Sequence, residues 1–203
     1  MRTHSSAAVR EDSDSVGRRL FPVCLPALAF ILSSVLGCDD DPFAVRWVSD
    51  PDTVRLHALS RAEPNLVSGY DFHPRTPVQI ESSLTGGNWD LAVDTLEGEF
   101  VWLPPGALGI TSTSALATLE DADWDSATRA PGDTTRYSRE EPVPMRTRTV
   151  YVIRTRGHSG LFGTQCSYYG KIEPLAINIP SGWVVFRYDM SRACNSRDLV
   201  PPG

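Results

Sequence analysis

Cys166 and Cys194 each stand fourteen positions from Pro180, the middle of the five-residue turn "NIPSG". The flanking runs "CSYYGKIEPLAI" (166–177) and "WVVFRYDM" (183–190) are rich in β-branched and aromatic residues, as strands are. A regular hairpin centred on Pro180 sets the two cysteines opposite each other, close enough for their side chains to bridge. Pro174 lacks an N–H, so one side of its strand must bulge or go unpaired there. A third run, "TVYVIRTR" (149–156), completes an expected C-terminal three-stranded meander. No other stretch restricts the fold as tightly.

The rest of the chain also reads as strand. "FAVRWV" (43–48) and "TVRLHAL" (53–59) flank the turn "SDPD" and suggest an opening hairpin. In "NWDLAVD", Trp89, Leu91 and Val93 alternate with Asp90, Ala92 and Asp94, the two-residue period of a half-buried strand. In "EFVWLP", Phe100 and Trp102 share a face, and Pro104-Pro105-Gly106 ends the strand. Residues 119–147 are acidic and weakly periodic, an excursion with a short helical turn expected near "ALATLEDADW". There is no internal repeat. The expected fold is all-β, an antiparallel sandwich-like single domain over 43–203.

The N-terminus carries an address. Arg18-Arg19 precede a 17-residue apolar run, Leu20 to Leu36, broken by Pro22 and Pro26. A span needs about 20 apolar residues, so an export signal is the better reading of 1–37. Its end, Val35-Leu36-Gly37-Cys38, resembles the lipobox of bacterial lipoproteins. That resemblance implies cleavage before Cys38, a diacylglycerol on its sulfur, and membrane lipid as a partner. Asp39-Asp40-Asp41 then form most of an acidic linker over 38–42. Glu11, Asp12 and Asp14 suit an n-region poorly, so translation is expected to begin near Val16. Arg18-Arg19-Leu20-Phe21 resembles a twin-arginine signal, but Gly17 departs from it and the general secretory route is favoured. Cys24 leaves with the signal. Cys166 and Cys194 remain as a disulfide pair suited to an oxidising compartment.

Chemistry-bearing patterns are sparse. A net charge of −6 argues against nucleic acid, and among 19 basic residues only Lys171 is a lysine, a bias of composition rather than a phosphate-binding cluster. Asp121, Asp123 and Asp125 have calcium-loop spacing, yet Ser126 stands in place of the glycine and Gly132 in place of the bidentate glutamate. No close four-ligand set suggests a metal, and no nucleophile–base order suggests catalysis. Asp90 and Asp94 could share an exposed face without catalytic meaning. "GHSGLFG" (157–163) is a glycine-rich loop between strands, neither a P-loop nor a nucleophile elbow. Gly157, His158, Gly160 and Gly163 are its candidate ligand-contacting residues, with the glycines expected to flex. His57, His73 and His158 are the histidines of the mature domain, and two of them could serve haem iron.

"GNWDLAV", followed by "TVYVIRTR", "YYGKIEPLAI" and "GWVVFRYD", resembles the HmuY-like β-rich lipoproteins of the bacterial surface, over roughly residues 43–190. The resemblance implies a β-rich fold at the cell envelope and, in its best-known members, haem binding. This chain departs from the pattern in the loop 157–165 and in having no histidine on the "WDLAV" hairpin. The expectation is a lipid-anchored envelope lipoprotein, a non-catalytic binding or structural module with no cofactor. Its other partner is an envelope protein or a small ligand. The alternative is an HmuY-like binder of haem or another small ligand.

Overall fold

The computed structural model describes residues 45–202 apart from 62, 64 and 83–86, so the signal, Cys38 and the acidic linker lie outside the described residues. Those described belong to one compact unit, Val45–Gly203. The first strands are β1 (Asp52–His57), β2 (Gly69–Asp71), β3 (Thr76–Val78), β4 (Leu91–Leu96), β5 (Glu99–Leu103) and β6 (Ala115–Leu119). They are followed by β7 (Val143–Pro144), β8 (Val150–Arg154), β9 (His158–Ser159), β10 (Gln165–Cys166), β11 (Tyr169–Asn178) and β12 (Trp183–Met190). One five-stranded sheet runs β1-β12-β11-β8-β6, the other β3-β2-β4-β5-β7, and β9-β10 form a small ribbon. Every pairing is antiparallel, and the described residues contain no α-helix.

One apolar cluster draws on both sheets. Tyr151, Ile153, Ile172, Phe186 and Tyr188 meet Tyr70, Leu91, Val93, Phe100 and Trp102 in it. Trp102 meets Phe186 edge-on at 5.2 Å, and the Tyr70 and Tyr188 hydroxyls hydrogen-bond at 2.8 Å across the layers. Each valine, leucine, isoleucine or phenylalanine in the cluster contributes about 1.5–3 kcal/mol by leaving water. The result is a sandwich-like single domain, with β8, β11 and β12 as the expected meander.

The hairpin follows its arithmetic by an indirect route. Next to the turn, Asn178, Ile177 and Ala176 pair with Trp183, Val184 and Val185, a register centred between Pro180 and Ser181. Leu175 is then left over as a bulge beside Pro174, and from Pro174↔Phe186 to Gly170↔Met190 the register is centred on Pro180. The bulge next to the donor-less proline therefore brings the far end into the register that the cysteines need. Cys166 and Cys194 are bonded, with Cα atoms 5.0 Å apart.

Three local expectations fail. Residues 45–50 form no strand, and β1 instead lines the edge of β12 over Trp183–Tyr188, from Asp52↔Tyr188 to His57↔Trp183. Within 45–50 only Trp47 is buried, too little apolar surface to compete with an eight-residue β-branched and aromatic edge. "ALATL" is strand β6 beside β8 rather than a helical turn, because Leu116 enters the inter-sheet core while Ala117 packs on Ala130, Val152 and Leu199. The short 3-10 turn of the excursion lies at Thr134–Arg136. Trp89 does not continue the face of Leu91 and Val93. It joins Ala92, Val101 and Leu103 on the other side of the sheet, since it precedes β4, whose alternation starts at Leu91.

Candidate functional site

The strongest concentration of chemistry lies where β2, the segment before β4, and the end of β8 converge. Asp71 closes β2, Asp90 immediately precedes β4, and Arg156 follows β8 by two residues. Asp90 is fully buried. Its Oδ2 accepts from the Phe72 backbone N–H at 2.9 Å and its Oδ1 from the Arg156 backbone N–H at 2.8 Å. Arg156 also returns its guanidinium, Nη2 to Asp71 Oδ2 at 2.6 Å and Nη1 to Asp90 Oδ1 at 3.5 Å. A residue that leaves one sheet is thus bound by two acids of the other.

Burial decides the electrostatics. It pushes the Asp90 carboxyl up to about 7, reinforced by neighbouring Asp71 and opposed by the Arg156 and Phe72 hydrogen bonds. Burial also works against the charge of Arg156, but its bonds to Asp71 and Asp90 outweigh that and hold its pKa above the ordinary value. The His158 imidazole is pushed down to about 4, first by burial and then by Arg156 and His73, so it is neutral at pH 7.

Histidines gather on the outer side of this cluster. The His158 ring lies 4.3 Å from that of exposed His73, which stacks on Tyr168 at 4.6 Å with an interplanar angle of 10°. Thr155 ties this arrangement to β8, since its backbone N–H donates to the Tyr168 carbonyl and its Oγ1 accepts from the Tyr168 N–H, both at 2.9 Å. Phe72, His73, Arg75, Tyr168, Met190 and Arg192 line a cavity of about 360 Å³ here. A wider, open cleft of about 960 Å³ has Arg156, Gly157, Gln165 and Thr113 on its wall.

Of the candidate loop, His158 alone reaches the cluster. The glycines were expected to flex, but two are held. Gly157 N–H donates to Thr113 Oγ1 at 2.9 Å, and Gly160 N–H to the Thr164 carbonyl at 2.7 Å. A Cβ on Gly160 would lie 2.5 Å from Cys166 Sγ, so the backbone is pressed against the disulfide. Gly163 has φ +74° with open space around it, and its neighbour Phe162 is fully exposed at φ 57°.

The other candidates lie elsewhere. His57 sits in β1 opposite Trp183. Asp123 turns its carboxylate on its own loop, accepting from the backbone N–H groups of Asp125 and Ser126 at 3.1 and 2.8 Å. Asp90 and Asp94 share no exposed face: Asp90 is buried, and Asp94 accepts from the Ser60 and Thr95 N–H groups at 2.8 Å. Asp71 and Arg156 were not singled out by sequence. Their only mark is "DFH" and "RGH", a charged residue two places before a histidine at the end of a β-run. No protein-family model matches the chain, and no curated protein matches it.

Proposed function

We propose that this chain is an exported, lipid-anchored module of the bacterial cell envelope, with a non-catalytic binding or structural role. The observation that carries the reading is the Cys166–Cys194 disulfide in a domain downstream of Leu36-Gly37-Cys38. Disulfides of this structural kind belong to oxidising compartments, and the lipobox-like end is a route into one. The acids of the buried cluster support a non-catalytic role, since Asp90 spends both oxygens on backbone N–H groups and Asp71 one oxygen on Arg156. Labelled palmitate should appear on the wild-type protein in a bacterial host and be absent from Cys38→Ser, with globomycin causing precursor to accumulate. Label on Cys38→Ser, or none on the wild type, would refute the anchor.

A second reading, a surface binder of haem or another small ligand, draws on the meeting of His73, His158 and Tyr168 beside a cavity. Haem iron accepts axial histidines. The two rings touch each other, so bis-histidine ligation requires exposed His73 to swing outward. Titration with haemin distinguishes the readings: a Soret shift lost on substitution of His73 or His158 favours the haem binder, and no shift favours the first.

A further inference from the structure

We propose that Asp71, Asp90 and His158 form a binding site for a divalent first-row transition ion of the zinc type. One carboxylate oxygen from each aspartate and one imidazole nitrogen of His158 lie within 4.8 Å of one another. In a tetrahedral zinc site with bonds of about 2.1 Å, ligand atoms stand roughly 3.4 Å apart. Small side-chain rotations therefore close the three onto one ion. The residues come from β2, the approach to β4, and β9, so the backbone positions all three without a dedicated loop.

Two further observations point to a ligand. The Asp71 side chain is more than nine-tenths buried, and its Oδ1 has no hydrogen-bond partner among the described residues. His158 Nε2 is likewise buried and unpartnered. Such groups normally find a partner, because leaving one unmade costs about 1–3 kcal/mol. Two buried acids also share a single guanidinium. Arg156 uses Asp71 Oδ2 and Asp90 Oδ1, which leaves Asp71 Oδ1 and His158 Nε2 as the donors with nothing to hold. A second cation satisfies both. One imidazole with two carboxylates suits zinc and its neighbours; calcium prefers six or more oxygens and magnesium an octahedron rich in water. Exposed His73, in ring contact with His158, marks the solvent side on which a fourth ligand would enter.

The inference stands apart from the lipid anchor. Its test uses the full chain, purified in detergent, untagged and stripped with a chelator. Zn²⁺ alone is titrated against a chromophoric chelator, and Co²⁺ alone is followed by its visible ligand-field absorption. One ion per chain is expected, with affinity lowered at least about tenfold in His158→Ala. His158 Nε2 has no hydrogen bond to lose, and near-UV circular dichroism checks that the variant keeps its fold. Asp71→Asn should weaken Co²⁺ absorption as well; if that variant unfolds, His158→Ala alone decides. No stoichiometric binding would mean that the cluster holds a proton only. Equal binding by wild type and His158→Ala would place the ion elsewhere on the chain. Either result overturns the site.

Discussion

Two carboxylates share one guanidinium in this fold, Arg156 reaching Asp71 at 2.6 Å and Asp90 at 3.5 Å with little water around them. Removing the cation while both acids stay buried is the costly direction, since an unpaired buried charge loses about 3–5 kcal/mol. Arg156→Met should therefore lower the urea midpoint strongly although methionine fills much of the same space. Adding Asp71→Asn should recover part of that loss, because it removes the stranded charge. Strictly additive losses in the double variant would show that the pairing is not the cause. At this scale the sequence was nearly silent. Positions 71, 90 and 156 are remote in sequence, and a charged residue at a strand end usually faces solvent.

The element that shapes the domain is the β11–β12 hairpin, and its unpaired residue is Leu175. Removing Leu175 would join the two registers into one regular ladder, with Ala176 following directly on Pro174, and the inward and outward faces unchanged. Deletion of this half-exposed residue should leave the disulfide intact and the stability within about 1 kcal/mol. Deletion of Ile172, in the regular part of the ladder, should instead slip the register and prevent bridge formation. Non-reducing peptide mapping reads both outcomes. The bridge encloses 27 intervening residues, for which chain entropy suggests about 3–4 kcal/mol, less if the hairpin persists in the unfolded chain. Replacing both cysteines by alanine should lower the melting temperature. It should also speed hydrogen exchange in the tail, where the Asn195 N–H bonds to the Ser167 carbonyl and the Leu199 N–H to that of Thr128. Unchanged exchange there would mean that buried Leu199 holds the tail unaided.

At the scale of the whole molecule, the proposed anchor is expected to act independently of the sandwich. The described inter-sheet core is built from residues between Leu56 and Met190 of the unit Val45–Gly203. Cys38→Ser should therefore change where the protein is processed and retained without changing how the sandwich folds. Fractionation should show unprocessed precursor, while the Cys166–Cys194 bond still forms if the precursor is translocated. Loss of the disulfide in translocated precursor would contradict that independence. A single acyl chain binds a bilayer only marginally, so firm retention implies more than one chain on the processed terminus.

What the sequence determined by itself was local. Alternating β-branched and aromatic runs made strands, "NIPSG" made a turn, and the equal spacing of Cys166 and Cys194 about Pro180 brought them together. These are short-range consequences of pleat, turn chemistry and register. Tertiary structure decided which strand edges met. It gave β1 to β12 rather than to residues 45–50, turned "ALATL" into a strand, and buried Trp89 on the opposite side from Leu91. It alone assembled Asp71, Asp90, Arg156 and His158, because contacts between residues so far apart form only when two sheets pack and exclude water between them.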